Sequence, residues 1–147
     1  ELGSGTGLVA LALAGRGHSV LATDGNKCVL ENLQSNIEQA QHAATAGRIQ
    51  TAMLRWEVGS DREAIAARGT FDAVVGADVI YDQPHCHALK GVLRQVVTGK
   101  AEVLLVERDR MQRATACAGE FHNEDWLVEK LDVPLGLEEA AVNGEVN

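Results

Sequence analysis

The chain opens Glu1-Leu2-Gly3-Ser4-Gly5-Thr6-Gly7 and passes at once into an apolar helical stretch through Leu8, Val9, Leu11 and Leu13. A glycine-rich turn that feeds a helix N-terminus lets backbone N–H groups approach a ligand closely. Glycines at 3, 5 and 7 give G-x-G-x-G, whereas the dinucleotide fingerprint is G-x-G-x-x-G, so a pyrophosphate site is the weaker reading. A glycine-rich loop without a ligand is the plain alternative. Asp24 shifts that balance: residues 18–23 read as a short buried strand closing on this acid. A carboxylate at a strand's carboxyl end, just beyond such a loop, is placed to bind a ribose diol. The Asp24-Gly25-Asn26 string also reads as a turn. Loop and acid together favour a nucleoside ligand.

Other residues suggest chemistry and are better explained by structure. His85-Cys86-His87 resembles a metal cluster, but adjacent and i, i+2 positions on a helix do not converge on one ion, so no metal is expected. Cys28 reads as a half-buried small residue rather than a nucleophile. The three cysteines, at 28, 86 and 117, are an odd number at wide spacing and read as reduced thiols of a cytoplasmic or nuclear protein. Arg108, Asp109, Arg110 and Arg113 follow a strand's carboxyl end, where a substrate contact competes with the simpler reading of a solvated helix start. Trp126 reads as packing and Glu138-Glu139 as a solvated acidic face.

The elements that must position these residues alternate. Apolar residues at 29, 30, 33 and 37 predict a helix over 26–41, and 49–54 reads as a strand. A short helix ends near Gly69, and the nearly continuous apolar run FDAVVGA (71–77) predicts a strand buried on both faces. Pro84 begins a helix reaching about Val97, AEVLLVE (101–107) is the next strand, and a helix occupies roughly 110–118. A last strand is expected at 126–133. This alternation predicts an α/β, doubly wound and mostly parallel sheet with helices on both faces. One domain is expected over 1–135, with 136–147 an unstructured acidic tail.

Composition narrows the function. The 147 residues carry 13 Lys+Arg against 21 Asp+Glu, a formal net charge of −8, which disfavours a non-specific nucleic-acid binder. Only 3% of residues are aromatic, too few for a base-stacking platform. The longest apolar run, around 8–14, is far short of the roughly 20 residues a membrane span needs.

The string FDAVVGADVIYD (71–82), with ELGSGTG (1–7), Thr23-Asp24 and LRW (54–56), resembles the class I, seven-β-strand S-adenosylmethionine-dependent methyltransferases. Within them the chain is most similar to the family-16 protein-lysine methyltransferases, over about residues 1–106. The resemblance implies S-adenosyl-L-methionine as cofactor, with Glu1, Gly3, Gly5 and Gly7 forming its loop. Asp24 would accept from the ribose hydroxyls with Asn26 close by, Trp56 would flank the adenine, and Ala77 would line the pocket. Asp78 and Tyr81 match the D-x-x-Y element that sits beside the target side chain. One departure is visible: Trp56 is followed by Glu57-Val58-Gly59, where the family commonly has Gly directly after Trp.

The expected activity is therefore N-methylation of a lysine in a protein substrate by a monomeric enzyme. A small-molecule N-methyltransferase and a non-catalytic interaction module of the same fold are the alternatives, with a nicotinamide-dependent oxidoreductase more distant. The resemblance also puts Glu1 at the carboxyl end of the first strand, paired between the second and fourth. About four or five residues of a typical strand would precede it. The expectation is a chain truncated at its N-terminus, lacking most of that strand, and of low stability.

Overall fold

The computed structural model describes residues 1–40, 48–98, 101–108 and 112–122. Five helices and four strands alternate among them: α1 (Leu8–Gly15), β1 (Val20–Asp24), α2 (Lys27–Gln39), β2 (Ile49–Met53), α3 (Gly59–Ala66), β3 (Ala73–Ala77), α4 (Gln83–Val96), β4 (Glu102–Val106) and α5 (Arg113–His122). The expected strand at 126–133 and the acidic tail lie outside the described residues. The chain divides into two units, 1–117 and 118–147, and the described part of the second is the end of α5.

Strands β1 and β2 pair in parallel from Val20↔Ile49 to Asp24↔Met53, and β3 pairs in parallel with β4 from Ala73↔Glu102 to Ala77↔Val106. Residues 1–4 stitch the two pairs together. On one side Glu1 N donates to Leu21 O (2.8 Å), Thr23 N to Glu1 O (3.0 Å) and Ser4 N to Thr23 O (2.8 Å). On the other, Leu2 N donates to Val75 O (2.8 Å), and Leu2 forms a parallel bridge with Gly76. The opening segment thus runs between β1 and β3, as the resemblance implied.

Alternation along β1 sends its residues to opposite faces. Val20 and Ala22 join Ala10 of α1 with Leu33 and Ile37 of α2 in one apolar cluster. Leu21 and Thr23 face the other way, into a depression shared with Ile65 of α3, Val74 of β3 and Val96 of α4. Helices therefore cover both faces, and the fold is doubly wound. Helix α4 buries Cys86, Leu89, Val92, Leu93 and Val96 at helical spacing, and Asp82 caps it by accepting from His85 N. No described helix is long and apolar enough to cross a membrane.

Three expectations need correction. Strand β3 is not buried on both faces: Val74 and Gly76 are buried, but Ala73 and Ala77 are exposed among the described residues. Runs of small apolar residues fit a half-covered strand as well as a covered one, because Ala loses little by facing water. Cys28 is exposed, since α2 turns Leu33 and Ile37 inward and leaves this first-turn position outside. Cys86 and Cys117 are joined in a disulfide, Cα atoms 5.7 Å apart, rather than both being free thiols. Their separation of 31 residues in sequence hides that α4 and α5 bring them together.

Candidate active site

All four strands and the opening segment run parallel, so their carboxyl ends share one sheet edge, where open α/β sheets bind ligands. Two groups of residues assemble there.

The first is the glycine loop with Asp24. Gly3, Gly5 and Gly7 all have positive φ (61°, 53° and 91°), a region other residues enter at a cost. The Gly7 Cα packs against Leu33 of α2, so a side chain there would collide with it. Gly5, by contrast, faces open space. Asp24 holds this loop: its Oδ2 accepts from Gly5 N (3.2 Å) and its Oδ1 from Asn26 N (2.9 Å). The turn reading and the binding reading of Asp24 are thus both visible in one side chain. Asn26 itself caps α2, its Oδ1 accepting from Cys28 N (2.9 Å). Glu1 Oε2 and Ser4 Oγ are buried in this group without a well-formed hydrogen bond among the described residues, although Ser4 and the Ala10 backbone still favour the charged Glu1 carboxylate. Burial also pushes the Glu1 carboxyl above its ordinary range.

The second group follows β3. Ala77 ends the strand in register with Val106, and Asp78 takes a left-handed conformation (φ 52°) with its N–H on Val106 O (2.8 Å). Both are exposed. This sharp turn throws Val79 inward, where it is 2% exposed and abuts Gly3, joining the two groups. Tyr81 is 56% exposed, with its ring 5.3 Å from that of His85. His85 in turn lies 6.4 Å from the ring of Trp56, edge to face in both cases. Trp56 is carried by the turn after β2, which Arg55 and Asp61 brace with two side-chain bonds, 2.8 and 3.0 Å. Those bonds hold the Asp61 carboxyl down at about 2. At the departure over 57–59, Gly59 begins α3, and Arg62 of that helix donates to Trp56 O (2.8 Å).

Glu107, read from sequence only as the end of a strand, holds the D-V-I-Y turn. Its Oε1 accepts from Val79 N (2.8 Å) and its Oε2 from Ile80 N (3.3 Å). Burial raises its pKa, the two amides oppose that, and the nearby Asp78 charge adds to the rise. The signal that could have found it is an acid at the carboxyl end of the strand beside the one bearing Asp78. Arg113 is exposed at the start of α5, as the solvated reading has it, and also donates to Tyr81 O. Asp109, Arg110, Trp126 and Glu138-Glu139 lie outside the described residues.

This edge offers a loop that a ligand can approach closely, a carboxylate at a strand end, and an aromatic wall beside an exposed acid. Such a set suits a nucleoside-bearing cofactor next to a cationic acceptor. Comparison with known proteins gives the family. A family model described as lysine methyltransferase matches residues 1–121. The chain is 33% identical over 113 residues to a protein N-lysine methyltransferase METTL21A of Danio rerio, covering 77% of this chain and 50% of that one. It is 32% identical over 112 residues to an EEF1A lysine methyltransferase 3 of Mus musculus, covering 76% and 45%. A protein-lysine N-methyltransferase EFM3 of Chaetomium thermophilum is 33% identical over 103 residues, covering 66% and 30%. The chain thus spans about half the length of the first two relatives and less of the third. With the family model covering most of its length and relatives more than 30% identical covering about three quarters of it, the chain belongs to the lysine methyltransferase family.

Proposed function

We propose that this chain binds S-adenosyl-L-methionine along the glycine loop and takes part in methylating a lysine side chain of a protein substrate. The observation that carries the reading is the junction of the two groups, where Val79 beside Asp78 abuts Gly3 of the loop. A donor on the loop and an acceptor beside Asp78 would then be neighbours. The names of the relatives support a protein lysine as the acceptor.

The residues fit the cofactor. Glu1 and Ser4 offer buried side-chain oxygens suited to an ammonium, and the open side of Gly5 lets a ligand reach its backbone. Asp24 keeps lone pairs for a ribose diol after accepting from Gly5 and Asn26. Trp56 offers a ring to the adenine, and Ala77 adds no bulk beside it. When bound, the cofactor supplies an electrophilic sulfonium methyl group. The protein's task is alignment and a neutral amine. A free lysine has a pKa of about 10.4, so only about one in a thousand is neutral near pH 7.4. Asp78 would orient the entering ammonium, water would carry off its proton, and Tyr81 would present an aromatic face to the cation. The net charge of −8 suits a basic target segment.

Calorimetry with S-adenosylhomocysteine and NADH, followed by tritiated methyl transfer into a lysate, tests the reading. Binding of S-adenosylhomocysteine and label in protein lysine are the expected results. Label confined to small molecules would point to a free amine as acceptor, and NADH binding alone would overturn the cofactor. Asp78→Asn keeps the left-handed turn, which Asn tolerates, and removes the charge. Methyl transfer is expected to fall about 100-fold, the scale set by misplacing a reactant; an unchanged rate would remove Asp78 from its role.

Two glycine variants separate binding from folding. Gly5→Ala meets open space, so its cost is the left-handed backbone, roughly 1–2 kcal/mol. Gly7→Ala adds overlap with Leu33, a further ~1–3 kcal/mol. Thermal melts should rank Gly7→Ala lower, while S-adenosylhomocysteine titration should show weakened binding already in Gly5→Ala.

A further inference from the structure

His85 joins the two aromatic residues of the site, and no role in the reaction described above has been given to it. It is the third residue of α4 and about half exposed. Asp82 Oδ1 accepts from both its backbone N–H (2.9 Å) and its ring Nδ1 (2.7 Å). A carboxylate only accepts, so Nδ1 carries a hydrogen, and in the neutral ring Nε2 is an acceptor. The ring meets Tyr81 at 79° and Trp56 at 77°. Arg62 pins Trp56 at its carbonyl and Arg113 pins Tyr81 at its own, both through the backbone. The planes of the indole and the phenol are therefore related through His85.

We propose that His85 is a positioning residue that sets the two aromatic walls of this site, and that its neutral form is the one that admits a cationic acceptor. The second clause rests on the methyl-transfer reading above. Histidine is the side chain that ordinarily changes charge between pH 5 and 8. An imidazolium at Tyr81 places a positive charge where a lysine ammonium must enter, and the neutral ring does not. Among the described residues, Asp82 bonds its ring from its own helix cap, and the charged groups on its two ring neighbours are Arg113 of α5 at Tyr81 O and Arg62 of α3 at Trp56 O. Tyr81, Asp78 and Glu107 stand at the strand ends.

The test needs no activity in its first arm. A Trp126→Phe background leaves Trp56 as the only indole of the chain. Protonated imidazole quenches a neighbouring indole more strongly than the neutral ring. Trp56 emission is expected to fall as pH is lowered from about 8 to 5, and to stay level in His85→Phe, which keeps a ring but takes no proton. The same titration in both proteins would overturn the proposal. In the second arm, the KM for a lysine peptide should rise on the acid side in the parent and lose that limb in His85→Phe. His85→Ala should lower kcat about tenfold through misplaced walls, and His85→Phe should recover most of it. Identical KM–pH curves, or no recovery by Phe, would count against it. A parent protein that binds no S-adenosylhomocysteine and transfers no methyl group would overturn the methyl-transfer reading instead, and the emission titration alone would then decide whether His85 sets the walls.

Discussion

Replacing Glu107 with alanine is expected, on the proposed function, to reduce methyl transfer by about 100-fold while leaving S-adenosylhomocysteine binding nearly unchanged. The size follows from the cost of displacing a reacting group by about 1 Å. Glu107 is the only described side chain that accepts from both Val79 N and Ile80 N, and those amides flank the turn between Asp78 and Tyr81. Asp78 already sits in a left-handed conformation, held at its own N–H by Val106. Without the carboxylate, two part-buried amides lose their acceptor, at about 1–3 kcal/mol for each left unsatisfied. The turn then relaxes toward solvent and carries Asp78 and Tyr81 with it. The glycine loop is held separately, through Asp24, so the cofactor side stays intact. Glu107→Gln sharpens the comparison: one amide oxygen can still accept, but the NH2 group faces the other N–H, so an intermediate loss is expected. Single-turnover rates beside calorimetric binding check this. A variant that weakens binding and rate equally would show that Glu107 supports the whole edge rather than the acceptor side.

What could be read from sequence divides along the range of the interactions. The glycine loop and the D-V-I-Y string are each contiguous, and their residue types state their backbone needs within a few positions; Asp24, whose bond to Gly5 spans 19 residues, was legible from its place at a strand end. Strand and helix order followed from periodicity, with boundaries moving by one to a few residues, as at β1, which starts at Val20 rather than His18. Glu107 escaped because its partners lie 28 and 27 residues upstream, and Arg113 because its acceptor is Tyr81 O, 32 residues away. Nothing in AEVLLVE distinguishes an acid that ends a strand from one that clamps the neighbouring turn. The Cys86–Cys117 pairing failed for the same reason, with a misleading prior added: odd cysteines at wide spacing argue for thiols until the helices that carry them are placed. In β3 the ambiguity is chemical rather than geometric, since alanine is as acceptable on an open face as on a covered one.

Breaking the Cys86–Cys117 bond should be the largest single change to stability. The bond closes a sequence separation of 31 residues, and chain entropy then predicts roughly 4 kcal/mol of stabilisation. For a domain of this size that corresponds to a fall in Tm of roughly 10–15 °C. Cys86→Ser, Cys117→Ser and the double variant should melt together, because either change alone abolishes the bond. Cys28→Ser should melt within about 2 °C of the parent, as expected for an exposed free cysteine. Dithiothreitol should reproduce the shift in the parent and do nothing to the double variant. The effect reaches the site through the helices that the bond joins. Cys86 follows His85 in the first turn of α4, and Cys117 lies one turn beyond Arg113 on α5, the residue that donates to Tyr81 O. Reduction frees Arg113 from its position before it disturbs the glycine loop, so peptide KM should rise at temperatures where cofactor binding is still intact. Equal melting with and without reductant, together with alkylation of Cys86 and Cys117 in the unreduced protein, would show that the two are thiols and that α5 is held by other contacts.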